Sequence, residues 1–340
     1  MVTAIGNSTP QTIASWVAEA RRTRRILVNG FADPFTIADC NTVTSNLAGL
    51  DRLEAMLASA VAEALDGAFE VDPIESAECL EILVAPVWLD NQACNQLNEL
   101  LTTWICPYTA WSNKPRTRLV VKAGSTGCWM ALEHAYQALL SNPALNHVLI
   151  AAVDSQCEPT VLQAAASEGF LLRKGNAQGY VAGEAAGCLI LQRANDINDV
   201  PAGGFALHRP ALVKAPLRLW PGNEYADPTP LTQVLFGALQ ACAMDAIHIS
   251  HLESDMDGSE WRAQLESTAL DRVIFNKTTA LPQWRPATLF GQPGNASGII
   301  YWLLLTMLHQ NQIERINTVL NWSIEPSGEI AACVLERSPH

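Results

Sequence analysis

The stretch "VDSQCEPTVLQAAASEGFLLRKGNAQGYVAGEAAGCLILQR", residues 153 to 193, decides how this chain is read. It starts at the end of an apolar run, "HVLIAAVDS" at 147–155, crosses a Gly-rich loop and closes on "GEAAGCLILQR" at 183–193, a strand pattern. The C-terminal run "GEIAACVLERS" at 328–338 carries Gly, Glu, Ala and Cys at matching places. Two diverged copies of one α/β unit, each ending on an equivalent strand, produce such a match.

Outward from that stretch, "CLEILVAPVWL" at 79–89, "TRLVVKAG" at 117–124 and "HVLIAAVDS" are short, nearly continuous apolar runs separated by helical stretches. Such runs suit parallel strands covered on both faces. At the N-terminus, "VTAIG" at 2–6 is expected as a strand. A helix follows with Thr9 as cap, Pro10 at its first position and Ile13, Trp16, Val17 and Ala20 on one face. The basic run "RRTRR" at 21–25 is assigned to the end of that helix, where cations complement the dipole. Leu47, Leu50, Leu53, Leu57, Val61 and Leu65 predict a second amphipathic helix over 46–65.

The second half repeats the order. Residues 230–244 are predicted helical, "AIHISHLE" at 246–253 a strand, "GSEWRAQLESTAL" at 258–270 a helix and "PATLFGQ" at 286–292 a strand. The all-apolar "SGIIYWLLLTML" at 297–308, "TVLNWSI" at 318–324 and the closing strand complete the chain. The apolar helix is too short for a bilayer, which takes about 20 residues. It is therefore expected to be buried on all sides, without membrane insertion.

At 49% hydrophobic and 16% charged residues, the chain reads as a soluble globular protein with a large core. Its net charge of -13 repels phosphate backbones and anionic lipid, so nucleic acid is not an expected partner. Nine cysteines lack C-x-x-C spacing, and "MVTAIGNSTP" has no charged segment followed by a long apolar one. A reduced, cytoplasmic protein without structural zinc is the expectation.

The run Gly179, Tyr180, Val181, Gly183, Glu184 and Ala186 resembles the Gly-aromatic-Val-x-Gly-Glu-x-Ala segment of the thiolase superfamily, in particular the β-ketoacyl synthases. The opening "MVTAIGNSTPQTIASW" resembles that family's first strand and helix. The resemblance implies an α/β protein with a thiolase-like five-layer αβαβα sandwich built from two duplicated halves, residues 1–200 and 201–340. The third helix of each half would lie between the sheets, and a homodimer is the family default.

The family's chemistry needs a Cys on the turn before the first buried helix and two His, or His and Asn, to stabilise enolate and oxyanion. Matching "KAGSTG" at 122–127 to the nucleophile run puts Ala123 at the Cys position, or Gly124 if the register slips by one. With Glu266 as anchor, Asp255 stands at the first His position. In "ATLFGQPGNASG", Gln292 stands at the second, and Ala287 and Thr288 replace the family's Lys-Ser pair. The Gly-Phe-Gly-Gly gate is replaced by "IEPSGE" at 324–329. The comparison implies a pseudoenzyme without a cofactor.

Ser125, Cys128 and His251 are the alternative reactive residues. Against chemistry, Ser125 reads as a helix cap, Cys128 as buried packing and His251 as a packed or surface residue of a strand. Asp255, Asp257 and Glu260 read as solvated loop acids capping the helix near Gly258 rather than a calcium loop. Trp129 and Trp302 are expected in core or dimer packing, while Trp220, Trp261 and Trp284 are candidate binding anchors.

The combinations "NAQGYVAGEAAG" at 176–187, "DMDGSEWRA" at 255–263 and "WRPATLFGQPGNAS" at 284–297 are similar to synthase-like proteins encoded among bacterial type VI secretion components. That likeness implies a cytoplasmic adaptor or chaperone whose protein partner is an effector or spike component. The rival expectation is an acyltransferase or 3-oxoacyl-ACP synthase-type enzyme acting on acyl thioesters with an unorthodox nucleophile. Binding of CoA or acyl-carrier groups without chemistry is a third.

Overall fold

The apolar runs become the inner strands of two sheets in the computed structural model, which describes residues 1–71, 78–105, 116–216, 227–274, 280–313 and 315–339. Seven strands form the first sheet: β1 (Val2–Thr3), β2 (Arg24–Ile26), β3 (Phe35–Ala38), β4 (Glu78–Val84), β5 (Arg116–Val121), β6 (Leu145–Ser155) and β7 (Ala182–Gln192). Their order is β2-β3-β7-β6-β4-β5, with β1 also paired to β7. The second holds β8 (Phe205–Leu207), β9 (Ala211–Lys214), β10 (His251–Ser254), β11 (Gln283–Trp284), β12 (Thr318–Ile324) and β13 (Glu329–Arg337). Its order is β11-β10-β12-β13-β8, with β9 also on β13.

Each sheet passes from a parallel centre to an antiparallel closing pair. In the first, β4 pairs parallel with β5 and β6, and β6 pairs antiparallel with β7. In the second, β10 pairs parallel with β11 and β12, and β12 pairs antiparallel with β13.

Ten helices cover these sheets among the described residues: α1 (Thr9–Val17), α2 (Asn41–Thr44), α3 (Gly49–Val71), α4 (Asn91–Ile105), α5 (Gly127–Ser141), α6 (Pro159–Ser167), α7 (Thr229–Ala241), α8 (Glu260–Val273), α9 (Ala287–Phe290) and α10 (Ser297–Gln310). Strand alternation sorts the side chains between layers. Ile82 and Val84 of β4 and Val319 of β12 face a central core with Trp129 and Leu132 of α5 and Trp302 and Leu305 of α10. Leu83 turns the other way, onto α3 and α4, where it meets Leu57 and Leu97. Leu320 and Trp322 turn outward onto α7 and α8, beside Leu235 and Leu265. The layers are helix, sheet, helix, sheet, helix, with α5 and α10 in the middle.

Several local expectations are corrected. The first strand is shorter than 2–6, and α1 stops at Val17. Glu19 takes φ +50, and Ala20 N–H donates to Ser15 O, a left-handed stop that ends the helix before the arginines. Arg24 and Arg25 lie instead in β2, and Arg24 pairs with Asp39 at 2.6 Å. "PATLFGQ" forms the short helix α9 between Pro286 and Gly291, whose φ of +75 ends it. The run 246–253 begins with a single helical turn, Ala246–His248, and only its end joins β10. Trp220 lies outside the described residues.

Candidate functional site

Each helix of the middle layer is entered through a single tight turn. Gly124–Thr126 leads into α5 and Gly294–Ala296 into α10, and the two glycines have φ of +57 and +56. At both turns a carboxylate from the opposite half lies where a side chain would begin. A Cβ on Gly124 would fall 2.3 Å from Glu325 Oε2, and one on Gly294 2.1 Å from Asp154 Oδ2. Only glycine leaves that space.

Those carboxylates take the backbone donors that each helix entrance leaves free. The Ser125 N–H donates to Glu325 Oε2 at 2.7 Å, and the Ser125 hydroxyl donates to the same oxygen at 2.8 Å. Across the interface, the Asn295 N–H donates to Asp154 Oδ2 at 2.9 Å. Asp154 also accepts from Trp88 Nε1 at 3.1 Å, Gln156 Nε2 at 3.0 Å and Ser155 N at 2.7 Å. Burial pushes the Asp154 carboxyl up to about 6 against these donors. Burial also raises Glu325, opposed by its two bonds from Ser125.

A cavity of about 270 Å³ opens beside both turns, lined among others by Ser125, Asp154, Tyr180, Trp261, Arg262, Gln292 and Glu325. Asp255 and Gln292 are brought together at its base: Gln292 Nε2 donates to Asp255 O at 3.4 Å and Ser297 Oγ donates to Gln292 Oε1 at 2.9 Å. Asp255 is fully buried, which corrects its reading as a solvated acid. Arg262 Nη1 and Ser323 Oγ each donate to it at 2.6 Å. Burial raises its carboxyl, and the Arg262 charge opposes that rise. Asp257 closes the pair from the other side, 3.2 Å from Arg262 Nε, while its Oδ1 accepts from Ser259.

Of the other predicted positions, Ala123 precedes the first turn and contributes a methyl group packed against the central core. Ser125 lines the cavity, but its hydroxyl goes to Glu325 and makes no capping bond within its own turn. Cys128 is buried in the middle layer, its Sγ 3.1 Å from Asn295 O. Burial pushes its thiol up to about 12, so it carries no thiolate at neutral pH. His251 lies at the opposite end of β10 from Asp255, against the Trp284 ring at 5.0 Å, with Nδ1 2.8 Å from Ser250 Oγ. Trp129 and Trp302 meet edge to face at 5.5 Å between the sheets, and Trp261 lies under the Arg262 guanidinium at 4.9 Å.

Chemically, the site brings a serine hydroxyl to a carboxylate without an imidazole on the cavity wall among the described residues. An acyl-transfer intermediate needs N–H donors aimed at its oxyanion. Here the Ser125 N–H faces a carboxylate, which both occupies the donor and repels negative charge. Sequence reasoning missed Asp154, Arg262 and Glu325. The available signal was a carboxylate at the end of each apolar strand, "VDS" and "SIE", where ligand sites of parallel sheets gather.

No protein-family model matches the sequence, and no curated protein does. Among solved structures, the chain is similar to the ketosynthase from module 6 of the bacillaene synthase of Bacillus subtilis 168, with a TM-score of 0.77 and 14% identity over 99% of this chain and 70% of that one. It is also similar to a type II polyketide ketosynthase complex with its acyl-carrier protein, at TM-score 0.75 and 13% identity over 99% and 97% of the two chains. A ketosynthase in complex with its chain length factor from Xenorhabdus doucetiae matches at TM-score 0.72 and 12% identity over 99% and 96%. The layers, the two buried helices and these matches together establish a thiolase-like, ketosynthase-type fold for the whole described chain.

Proposed function

We propose that this chain is a non-catalytic ketosynthase-fold protein that acts by binding. The observation that carries this reading is Glu325: it takes the Ser125 N–H and hydroxyl at the turn where a synthase would present its nucleophile and stabilise an oxyanion. With Ala123 before that turn and Cys128 protonated in the core, the nucleophile has no replacement of comparable strength. Incubation with acyl-CoA and acyl-carrier thioesters is expected to give no turnover above background. Turnover abolished by Ser125→Ala or Cys128→Ala would overturn the reading.

The finer proposal is a cytoplasmic adaptor or chaperone for a type VI secretion effector or spike protein, working as a homodimer. Its support is the resemblance of three stretches to secretion-associated proteins. All three stretches reach the one cavity: Tyr180 comes from the first, Asp257, Trp261 and Arg262 from the second, and Gln292 and Gly294 from the third. Copurification with a co-expressed effector or spike component tests the partner, and recovery of acyl-carrier protein alone would count against it. Sedimentation tests the dimer, which a monomer at micromolar concentration would refute. The division at 1–200 and 201–340 belongs to the same proposal, supported by each sheet drawing its strands from one side of it. No helix among the described residues is long and apolar enough to cross a membrane.

The Ser125–Glu325 hydrogen bond favours one second reading, acyl transfer through Ser125 with the carboxylate as base. The same thioester assay decides between them.

A further inference from the structure

We propose that the cavity beside the two turns is a receptor for an alkyl cation, the ammonium or guanidinium end of an unbranched chain. The inference rests on reading the cavity as a binding site rather than a reacting one.

The charge on the wall is unbalanced. Asp154, Asp257 and Glu325 line the cavity, while Arg262, the cation beside them, is already held by Asp255 at 2.6 Å and Asp257 at 3.2 Å. An anion finds no such welcome, since the Ser125 and Asn295 N–H groups of the two turns are spent on Glu325 and Asp154.

Two groups on the wall remain open to a ligand. Glu325 uses Oε2 for both bonds from Ser125, and its Oε1 accepts none among the described residues. The Tyr180 hydroxyl likewise has no hydrogen-bond partner among the described residues, and Tyr180 lines the same cavity as Asp154, Asp257 and Glu325. A primary ammonium donates to a carboxylate and a phenol oxygen at once.

The remaining wall suits the stem of such a cation. Phe170 packs beside Tyr180 with ring centroids 6.4 Å apart, and Val161 and Trp261 add apolar surface. Aromatic faces also attract cations, with the largest gain where water is excluded. A volume of about 270 Å³ accommodates a butyl chain with its ammonium but not a folded macromolecular segment, so a protein would reach it through one extended lysine or arginine.

Titration calorimetry with n-butylamine, with sodium butyrate and with an N-acetylated, C-amidated Gly-Lys-Gly peptide tests the proposal. Butylamine and the lysine peptide are expected to bind and butyrate not to bind. Glu325→Gln, which keeps the acceptor for Ser125 and removes the charge, is expected to weaken both at least tenfold. Peptide binding tighter than butylamine identifies a protein side chain as the source, and equal binding identifies a free amine; either supports the cation site. Should Glu325→Gln lower the thermal midpoint, Trp261→Leu replaces it, with the same weakening expected. Butyrate binding without amine binding, or amine affinity unchanged in the folded variant, would overturn the cation site. Neither result touches the non-catalytic reading, which fails only on thioester turnover.

Discussion

The turns at Gly124 and Gly294 share one backbone solution and differ in what their carboxylates can still do. Asp154 is 1% exposed and accepts from Trp88, Ser155, Gln156 and Asn295, so it is fixed and saturated. Glu325 is half-buried and takes both bonds from Ser125 on a single oxygen. One turn thus rests on a structural joint and the other on a more accessible acid. The closing strands repeat the lesson: Glu184 is fully buried and bound by Arg52, whereas the matching Glu329 pairs at the surface with Lys214.

Alanine at the two glycines probes this difference most strongly. Gly294→Ala forces a Cβ against a carboxylate that cannot retreat, at positive φ, and is expected to lose about 4 kcal/mol in urea unfolding. Gly124→Ala meets a carboxylate with room to swing toward the cavity, and about 2 kcal/mol is expected. Equal losses would break the distinction between the two sites.

Ser125→Ala removes one hydroxyl bond to Glu325 but leaves the N–H in place, so about 1.5 kcal/mol is expected by the same measurement. A loss near zero would mean that Glu325 is held by its backbone donor alone.

The smallest expected effect is in the pH dependence. Asp154 titrates near 6 in the folded chain, above the ordinary aspartate value near 3.8. The folded state therefore holds an extra proton between those values, and the associated stability, complete below the lower one, is lost as pH rises through the upper. Asp154→Asn cannot titrate. The stability gap between it and the natural chain should narrow by roughly 1 kcal/mol from pH 5 to pH 7, a constant gap being the contrary result.

Much of the fold was legible because burial on both faces leaves a nearly continuous apolar trace. Residues 79–84, 147–153 and 318–320 carry it, and so does α10, whose Ile300, Trp302, Leu304 and Leu305 are buried around the helix. Short elements were less legible. In "PATLFGQ", four helical residues between a proline and a glycine leave no period to read, and the stop at Glu19 uses a left-handed conformation that a non-glycine residue does not advertise. At the candidate site Asp255 and Gln292 meet, and the solvated loop expected around Asp255 is instead a buried ion pair.

By itself, the sequence determined which strands are buried, which helix is surrounded and that a methyl group stands at Ala123, because residue identity and local period carry those properties directly. Only the tertiary structure decided that Glu325 meets Ser125 across 200 positions and Asp154 meets Asn295 across 141. Those pairings depend on how the two sheets stack about the middle helices, and a carboxylate's burial and partners follow from that stacking rather than from its neighbours in the chain.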